Sequence, residues 1–270
     1  MPTRCSCSDT MAPTDGQRLP VGGWLATAER EPGDADLSAM TEALTPSVYE
    51  RWRSTSIGAM VEQLEARLVF ELTGPLAGKR VLDVGTGDGA YAIQSAARGA
   101  EVTALDISTA MLEATRARAR KQGVSVALRE GSVERLPFET ESFDVVLAVT
   151  LLCTLKDIAS ALRELARVVV PGGTLIVGEL GRWSTWAAKR RLQSLGRETF
   201  WSSAHFWTRR ELESRLIESG LRIEASRGAI YFPPITVAAR LMARFDPKLA
   251  RFGTFGAAFL CVASRKPTAS

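Results

Sequence analysis

The chain has 270 residues, 46% hydrophobic and 24% charged, with a formal net charge of +4. That is enough apolar content to close one full core, yet no apolar run reaches the ~20 residues of a membrane-spanning helix. The charge is carried by 28 Arg and 6 Lys, scattered rather than stacked into a nucleic-acid or membrane tract, and Cys5, Cys7, Cys153 and Cys261 form neither a disulfide framework nor a CxxC zinc pair, so free thiols and no metal are expected.

In chain order, residues 1–42 are rich in Pro, Gly, Thr and Asp without sustained periodicity and read as a mobile leader, with Met11 as an alternative start. The first ten residues, MPTRCSCSDT, lack an apolar signal sequence, so a cytoplasmic protein is expected. Tyr49-Glu50-Arg51-Trp52 begins a helical stretch that runs to Leu72. From Lys79 strands and helices alternate: KRVLDV, a helix from Gly89 to Arg98 closed by Gly99, EVTALD, and a helix from Ser108 to Gln122 closed by Gly123. VSVALRE and FDVVLAV follow, then a helix from Asp157 with apolar Ile158, Leu162, Leu165 and Val169, a turn at Pro171-Gly172-Gly173, and strand TLIVGEL. Such βαβ alternation demands a parallel sheet, because each helical crossover returns the chain to the same end. Thr208-Arg209-Arg210-Glu211 is a capping box that opens a helix closed by Gly220. LRIEASRGAI and GAAFLCVASRK supply two last strands that pair antiparallel. The expected fold is α/β: a doubly wound, mostly parallel seven-stranded sheet with an antiparallel edge strand and helical insertions.

The chemistry concentrates in KRVLDVGTGDGAYA. Gly85, Gly87 and Ala90 fit the fingerprint of a backbone turn pressed against a pyrophosphate at a helix N-terminus, and the same letters also read Asp83-x-Gly85-x-Gly87-x-Gly89. Both uses need φ > 0 and close backbone approach. Asp106 ends the second strand 23 residues after Asp83, where a carboxylate reaches the two ribose hydroxyls of an adenosine. A nicotinamide dinucleotide and S-adenosylmethionine both satisfy that placement.

The later sequence separates them. Asp83-Val84-Gly85-Thr86-Gly87-Asp88-Gly89, Asp106-Ile107-Ser108 with Met111-Leu112, Leu136-Pro137-Phe138, Phe143-Asp144 and Pro171-Gly172-Gly173-Thr174 occur in order. In that arrangement, over about residues 46 to 265, the chain resembles the class I S-adenosylmethionine-dependent methyltransferases, and among them the methyltransferase type 11 and quinone-biosynthesis C-methyltransferase group. The resemblance implies a Rossmann-like fold, S-adenosyl-L-methionine as donor and S-adenosyl-L-homocysteine as product. It implies that Gly85, Thr86, Gly87 and Gly89 pass close to the donor's methionine moiety and ribose, with Asp83 near its amino group and Asp106 on the ribose hydroxyls. Ile107 and Met111 would sandwich the adenine, and Thr150 would stand at the end of the fourth strand. Ser132-Val133 occupies the place where many relatives carry an Asp for the adenine amino group; Ser132 can still accept a hydrogen bond.

Acceptor specificity in this family lies in appended segments. The resemblance implies a helical lid at 43–78 and a methyltransferase domain at 79–270 with substrate-covering insertions at about 181–207 and 231–254. Tyr49, Trp52, Trp183, Trp186 and Trp201 are then substrate-pocket candidates, while the insertion YFPPITVAARLMARFDPKLARFGTF, with apolar and Arg positions at helical spacing, packs on the core, lines the pocket, or meets a partner or membrane surface. Candidates for a catalytic role are Cys153 just after the fourth strand, His205 and Tyr49. Direct displacement at the activated sulfonium methyl leaves a general base optional. The expected partner is a small-molecule acceptor, the chain being a monomer or homodimer without integral membrane association. Nucleic acid is not expected, because Ala148-Val149-Thr150-Leu151 stands where amino-directed relatives carry an Asn/Asp-Pro-Pro-aromatic motif. A nicotinamide-dependent oxidoreductase and a non-catalytic donor-binding regulator are the competing readings.

Overall fold

A computed structural model describes residues 45–196, 200–250 and 253–268; the leader, with Cys5, Cys7 and Met11, lies outside the described residues. The elements in chain order are α1 (Pro46–Ser54), α2 (Ser56–Thr73), β1 (Arg80–Val84), α3 (Ala90–Ala96), β2 (Glu101–Asp106), α4 (Thr109–Lys121), β3 (Ala127–Glu130) and β4 (Phe143–Val149). A 3-10 turn at Leu152–Thr154 leads to α5 (Ile158–Val168), β5 (Val169–Leu180), α6 (Thr185–Gln193), α7 (Phe200–Ser203), α8 (Arg209–Glu218) and β6 (Arg222–Ala229). Then come α9 (Thr236–Met242), a second 3-10 turn at Ala243–Phe245, α10 (Asp246–Leu249) and β7 (Phe259–Arg265).

The seven strands form one sheet in the order β3-β2-β1-β4-β5-β7-β6. β1 to β5 are mutually parallel, and β7 runs antiparallel to both β5 and β6, so the reversed strand lies one place in from the edge. Central strands of a parallel sheet are covered on both faces and must be apolar on both. Along β1 and β4 the side chains alternate accordingly: Leu82, Val84, Val146 and Ala148 pack with α5 and α8, while Val81, Val145 and Leu147 pack on the other face with α2 and α3.

Two sequence expectations change in detail. The helical stretch from Tyr49 to Leu72 is two helices, because Thr55 is extended (φ −76°, ψ 147°). Its hydroxyl donates to Trp52 O at 2.7 Å and accepts from Gly58 N at 3.0 Å, ending one helix and capping the next. α2 is not a cover: Val69 and Leu68 are buried, and the helix forms part of the core layer on the sheet. Pro171-Gly172-Gly173 is not a turn between helix and strand. β5 starts at Val169 and runs through it, the pairing with β4 jumping from Phe143↔Val169 to Val145↔Thr174. The extra residues bulge outward, with Gly172 at φ 77° and its amide on Lys266 O at 2.8 Å. The capping box at Thr208 and Glu211 forms as read, and Ser108 and Asp157 cap α4 and α5. Among the described residues no helix is long and apolar enough to cross a membrane.

Candidate active site

The carboxyl ends of β1, β2 and β4 meet where the strand order reverses, the crevice in which doubly wound sheets bind ligands. Beyond β1 the chain turns through Gly85, Gly87 and Gly89, all left-handed with φ of 67°, 56° and 83°. The Gly85 and Thr86 amides both donate to Leu105 O, at 2.8 and 3.0 Å, which draws the loop over the end of β2. A Cβ on Gly85 would stand 2.7 Å from Leu151 Cδ1, so backbone conformation and close packing both demand glycine. At Gly87 a Cβ would meet nothing within 4 Å. There only the conformation demands glycine, and the outer side of the turn is open to a ligand.

Asp106 faces this turn. Its Oδ2 accepts from Gly87 N at 2.8 Å and its Oδ1 from Ser108 N at 2.9 Å. Ser108 itself caps α4 by accepting from Met111 N at 3.4 Å, so Asp106 is not the helix cap, and the remaining lone pairs of its carboxylate are available to a diol. Asp83 is buried, and its Oδ2 accepts from Thr86 Oγ1 at 2.6 Å and Ala92 N at 3.0 Å. One carboxylate oxygen thus ties the loop to α3. Burial pushes its pKa up to about 6. Ile107 is 73% exposed whereas Met111 and Val133 are buried, and Ser132 Oγ accepts from Glu134 N at 3.2 Å. Thr150 adopts φ 50°, rare for a β-branched residue; its amide donates to Gly178 O at 2.6 Å.

Two acids not expected in the site organise it. Asp88, in the glycine turn, pairs with Arg118 of α4 at 2.9 Å and with Arg53 of α1, so one buried carboxylate fastens α1 across the loop. Glu179, within β5, accepts from the amides of Leu151, Leu152 and Cys153 at 3.1, 2.6 and 3.2 Å. Burial raises its pKa to about 8 against the pull of those donors. A carboxylate inside TLIVGEL, a run covered on both faces, was the signal in the sequence.

α1 and α6 meet beside the crevice. Trp52 and Trp186 meet edge to face at 6.0 Å, and the Trp186 Nε1 donates to Phe232 O at 2.9 Å. The Arg190 guanidinium lies 5.6 Å from the Trp186 ring and 3.8 Å from that of Trp201. Tyr49 reaches inward until the Cys153 thiol and the Asp88, Asp106 and Glu65 carboxylates all act on its hydroxyl, which burial first of all drives well above its ordinary pKa. Tyr49, Trp52, Trp186 and Trp201 thus gather on one side of the crevice; Trp183 stands apart, 60% exposed. The Cys153 thiol is buried, donates to Thr150 O at 3.6 Å, and is pushed well up by burial and by Glu179, which keeps it a neutral thiol. The His205 ring is held by Glu211 Oε1 at 2.7 Å and packs on Trp207 at 4.5 Å, while its amide donates to Cys153 O at 2.9 Å. In the insertion at 231–254, Phe232 and Ala239 join the core whereas Val237, Leu241 and Phe245 face outward. Among the described residues no group of three or more ligating side chains is placed to hold a metal ion.

Comparison with known proteins accords with this geometry. A family model described as "Methyltransferase domain" matches residues 82–177. A ubiquinone biosynthesis O-methyltransferase of Alkalilimnicola ehrlichii is 35% identical over 184 residues, 64% of this chain and 72% of that protein. A demethylmenaquinone methyltransferase of Tropheryma whipplei is 41% identical over 114 residues, 42% of this chain and 46% of that protein. Among solved structures, a S-adenosylmethionine-dependent methyltransferase of Thermotoga maritima, described as a possible histamine N-methyltransferase, superposes with a TM-score of 0.61 at 25% identity, covering 82% of this chain and 95% of that one.

Proposed function

The chain belongs to the class I S-adenosylmethionine-dependent methyltransferases, and from that membership we propose that it methylates a small molecule held in the crevice beneath α1 and α6. The observation that carries this reading is the Asp106 carboxylate, presented to the open side of the Gly87 turn by two amide donors. Asp106 would hold the ribose hydroxyls by charge-assisted hydrogen bonds, with Gly85, Thr86, Gly87, Gly89 and Asp83 beside the methionine end and Met111, Ser132, Val133 and Thr150 around the rest. When bound, S-adenosylmethionine supplies an electrophilic methyl on a positively charged sulfur. The protein's part is to seat the acceptor in line with it and to exclude water, which is where effective molarity arises. Enclosure by Tyr49, Trp52 and Trp186 supports a small acceptor over a nucleic acid or a protein. Unpaired buried cysteines, Cys153 and Cys261, fit work in the reducing cytoplasm. The nicotinamide reading of the glycine turn is not favoured by the family found.

Calorimetric titration of S-adenosylhomocysteine and of NAD tests the proposal. Saturable binding of the first and none of the second is expected; the reverse would overturn it.

A further inference from the structure

Four polar side chains at this crevice are unexplained by the donor. Tyr49 of α1, Glu65 of α2, Tyr91 of α3 and Arg190 of α6 lie deep in the protein yet each keeps part of its surface accessible. Among the described residues, none of the four side-chain ends makes a hydrogen bond. Glu65 stands four residues after Val61 and four before Val69, squarely on the buried stripe of α2. A carboxylate there, unpaired, is costly unless something else meets it. Arg190, on α6, carries the opposite charge. It and Glu65 act on each other electrostatically without forming a salt bridge, so their charged ends do not touch. The indoles of Trp186 and Trp201 cover the faces of the guanidinium and leave its in-plane N–H groups to donate.

We infer that Glu65 and Arg190 are the two polar jaws of the acceptor site and that the acceptor's methylated group is a hydroxyl, of the phenol or enol class, a reading that rests on the methyltransferase function proposed above. The chemistry of the pair selects the group. Toward Glu65 in its ionised, proton-accepting form the ligand must donate; toward Arg190 it must accept. A hydroxyl donates its proton, accepts on one lone pair and keeps the other for the methyl; a neutral amine has a single lone pair, which Arg190 would occupy, an ammonium only donates, a carboxylate only accepts, and a thiol does both only weakly. In the transfer the acceptor oxygen forms its bond to the methyl carbon as the carbon–sulfur bond breaks, the bonding pair staying on sulfur, which becomes a neutral thioether. The hydroxyl proton passes to Glu65, and Arg190 steadies the oxygen's negative charge until the bond is made. Burial first of all raises Glu65 to about 8, with Arg190 lowering it and Glu62 raising it; Tyr49, Tyr91 and the Cys261 thiol are the other titratable groups it acts on. A base so tuned accepts a phenolic proton readily.

The test uses the full chain, S-adenosylhomocysteine as probe of the donor site, and catechol, 4-nitrophenol, benzylamine and benzenethiol as acceptor probes. Catechol should quench the tryptophan fluorescence of the wild type. Glu65→Gln and Arg190→Leu should each weaken catechol binding by about tenfold, with S-adenosylhomocysteine affinity and melting temperature reporting that the fold survives. Catechol methylation should rise as pH passes through about 8, the range in which Glu65 ionises, and Glu65→Gln should lose that limb. 4-Nitrophenol, already largely ionised near neutrality, needs no proton removed, so its turnover should survive Glu65→Gln and fail in Arg190→Leu. Preferential methylation of benzylamine or benzenethiol, absence of any phenol binding while S-adenosylhomocysteine binds, or an unchanged pH profile in Glu65→Gln would each overturn the inference and leave the methyltransferase reading standing. Failure of the wild type to bind S-adenosylhomocysteine would instead overturn the function on which it rests.

Discussion

At Asp83, Asp106 and Glu179 a carboxylate does its work through backbone amides, and each use differs. Asp83 Oδ2 holds Thr86 and Ala92, so its duty is at least partly to the fold. Asp106 is braced by Gly87 and Ser108 and directs its remaining capacity outward. Replacing Asp106 with Ala is expected to weaken S-adenosylhomocysteine by at least about tenfold, since a hydrogen bond to a charged group contributes roughly 1.5–3 kcal/mol; isothermal calorimetry measures it, and unchanged affinity would remove the ribose assignment. Glu179 collects three amides of the turn after β4. Glu179→Ala leaves those donors buried and unpaired at roughly 1–3 kcal/mol each, so a loss of stability larger than that of an ordinary polar truncation is expected in urea denaturation. Glu179→Gln, which keeps an acceptor, should recover part of it.

Among the elements, α1 is joined to the glycine turn by charge. None of its residues is fully buried, and Arg53 on Asp88, with Arg118 of α4 on the same carboxylate, joins the Trp52–Trp186 contact in holding it, Thr55 setting the angle into α2. Asp88→Asn removes the charge that both arginines share. Breaking a buried pair costs about 3–5 kcal/mol; with 18% of the Arg53 and 28% of the Arg118 side chain still exposed, a loss of about 2 kcal/mol is the expectation. Because Tyr49 rides on α1, the same variant should also raise the acceptor KM. An unchanged melting temperature and KM would show that α1 is seated by other means.

Among the described residues burial raises the pKa of several carboxyl groups, Asp83 to about 6 and Glu65 and Glu179 to about 8, with Glu62 and Asp246 shifted in the same direction. Burial is the leading cause for each. The sign follows from linkage: between the ordinary carboxylate range and the raised value, the folded chain holds a proton that the unfolded chain has released. Stability from these groups is therefore fully present only below the ordinary carboxylate range, about pH 4, and is lost progressively as pH rises to about 6 for Asp83 and about 8 for Glu65 and Glu179. Thermal melts from about pH 5 to about pH 9 should show a falling melting temperature across that window, and Glu65→Gln should make the fall shallower. A melting temperature that climbs over the same range would contradict the burial of these acids.

What the sequence determined by itself were features with a short physical range. Apolar runs placed the central strands, because covered strands must be apolar on both faces, alternation with helices and turn signals placed the edge strands, and the caps at Ser108, Asp157 and Thr208 lie within three residues of the amides they serve. The Gly85 to Gly89 turn and Asp106 were legible for a similar reason: a left-handed backbone and a carboxylate at a strand end are local demands. Tertiary structure alone decided how the walls close. Nothing near Glu65 in the chain announces Arg190, 125 residues on, and nothing in the turn's GDG announces Arg53 and Arg118 as partners of Asp88. Pro171-Gly172-Gly173 looked like a break because proline and glycine usually punctuate elements; pairing with β4 on one side and the Lys266 backbone on the other makes it a bulge inside a strand. Charges act across whatever distance folding leaves between them, and that distance is set by the packing of helices on a sheet, which no local pattern encodes.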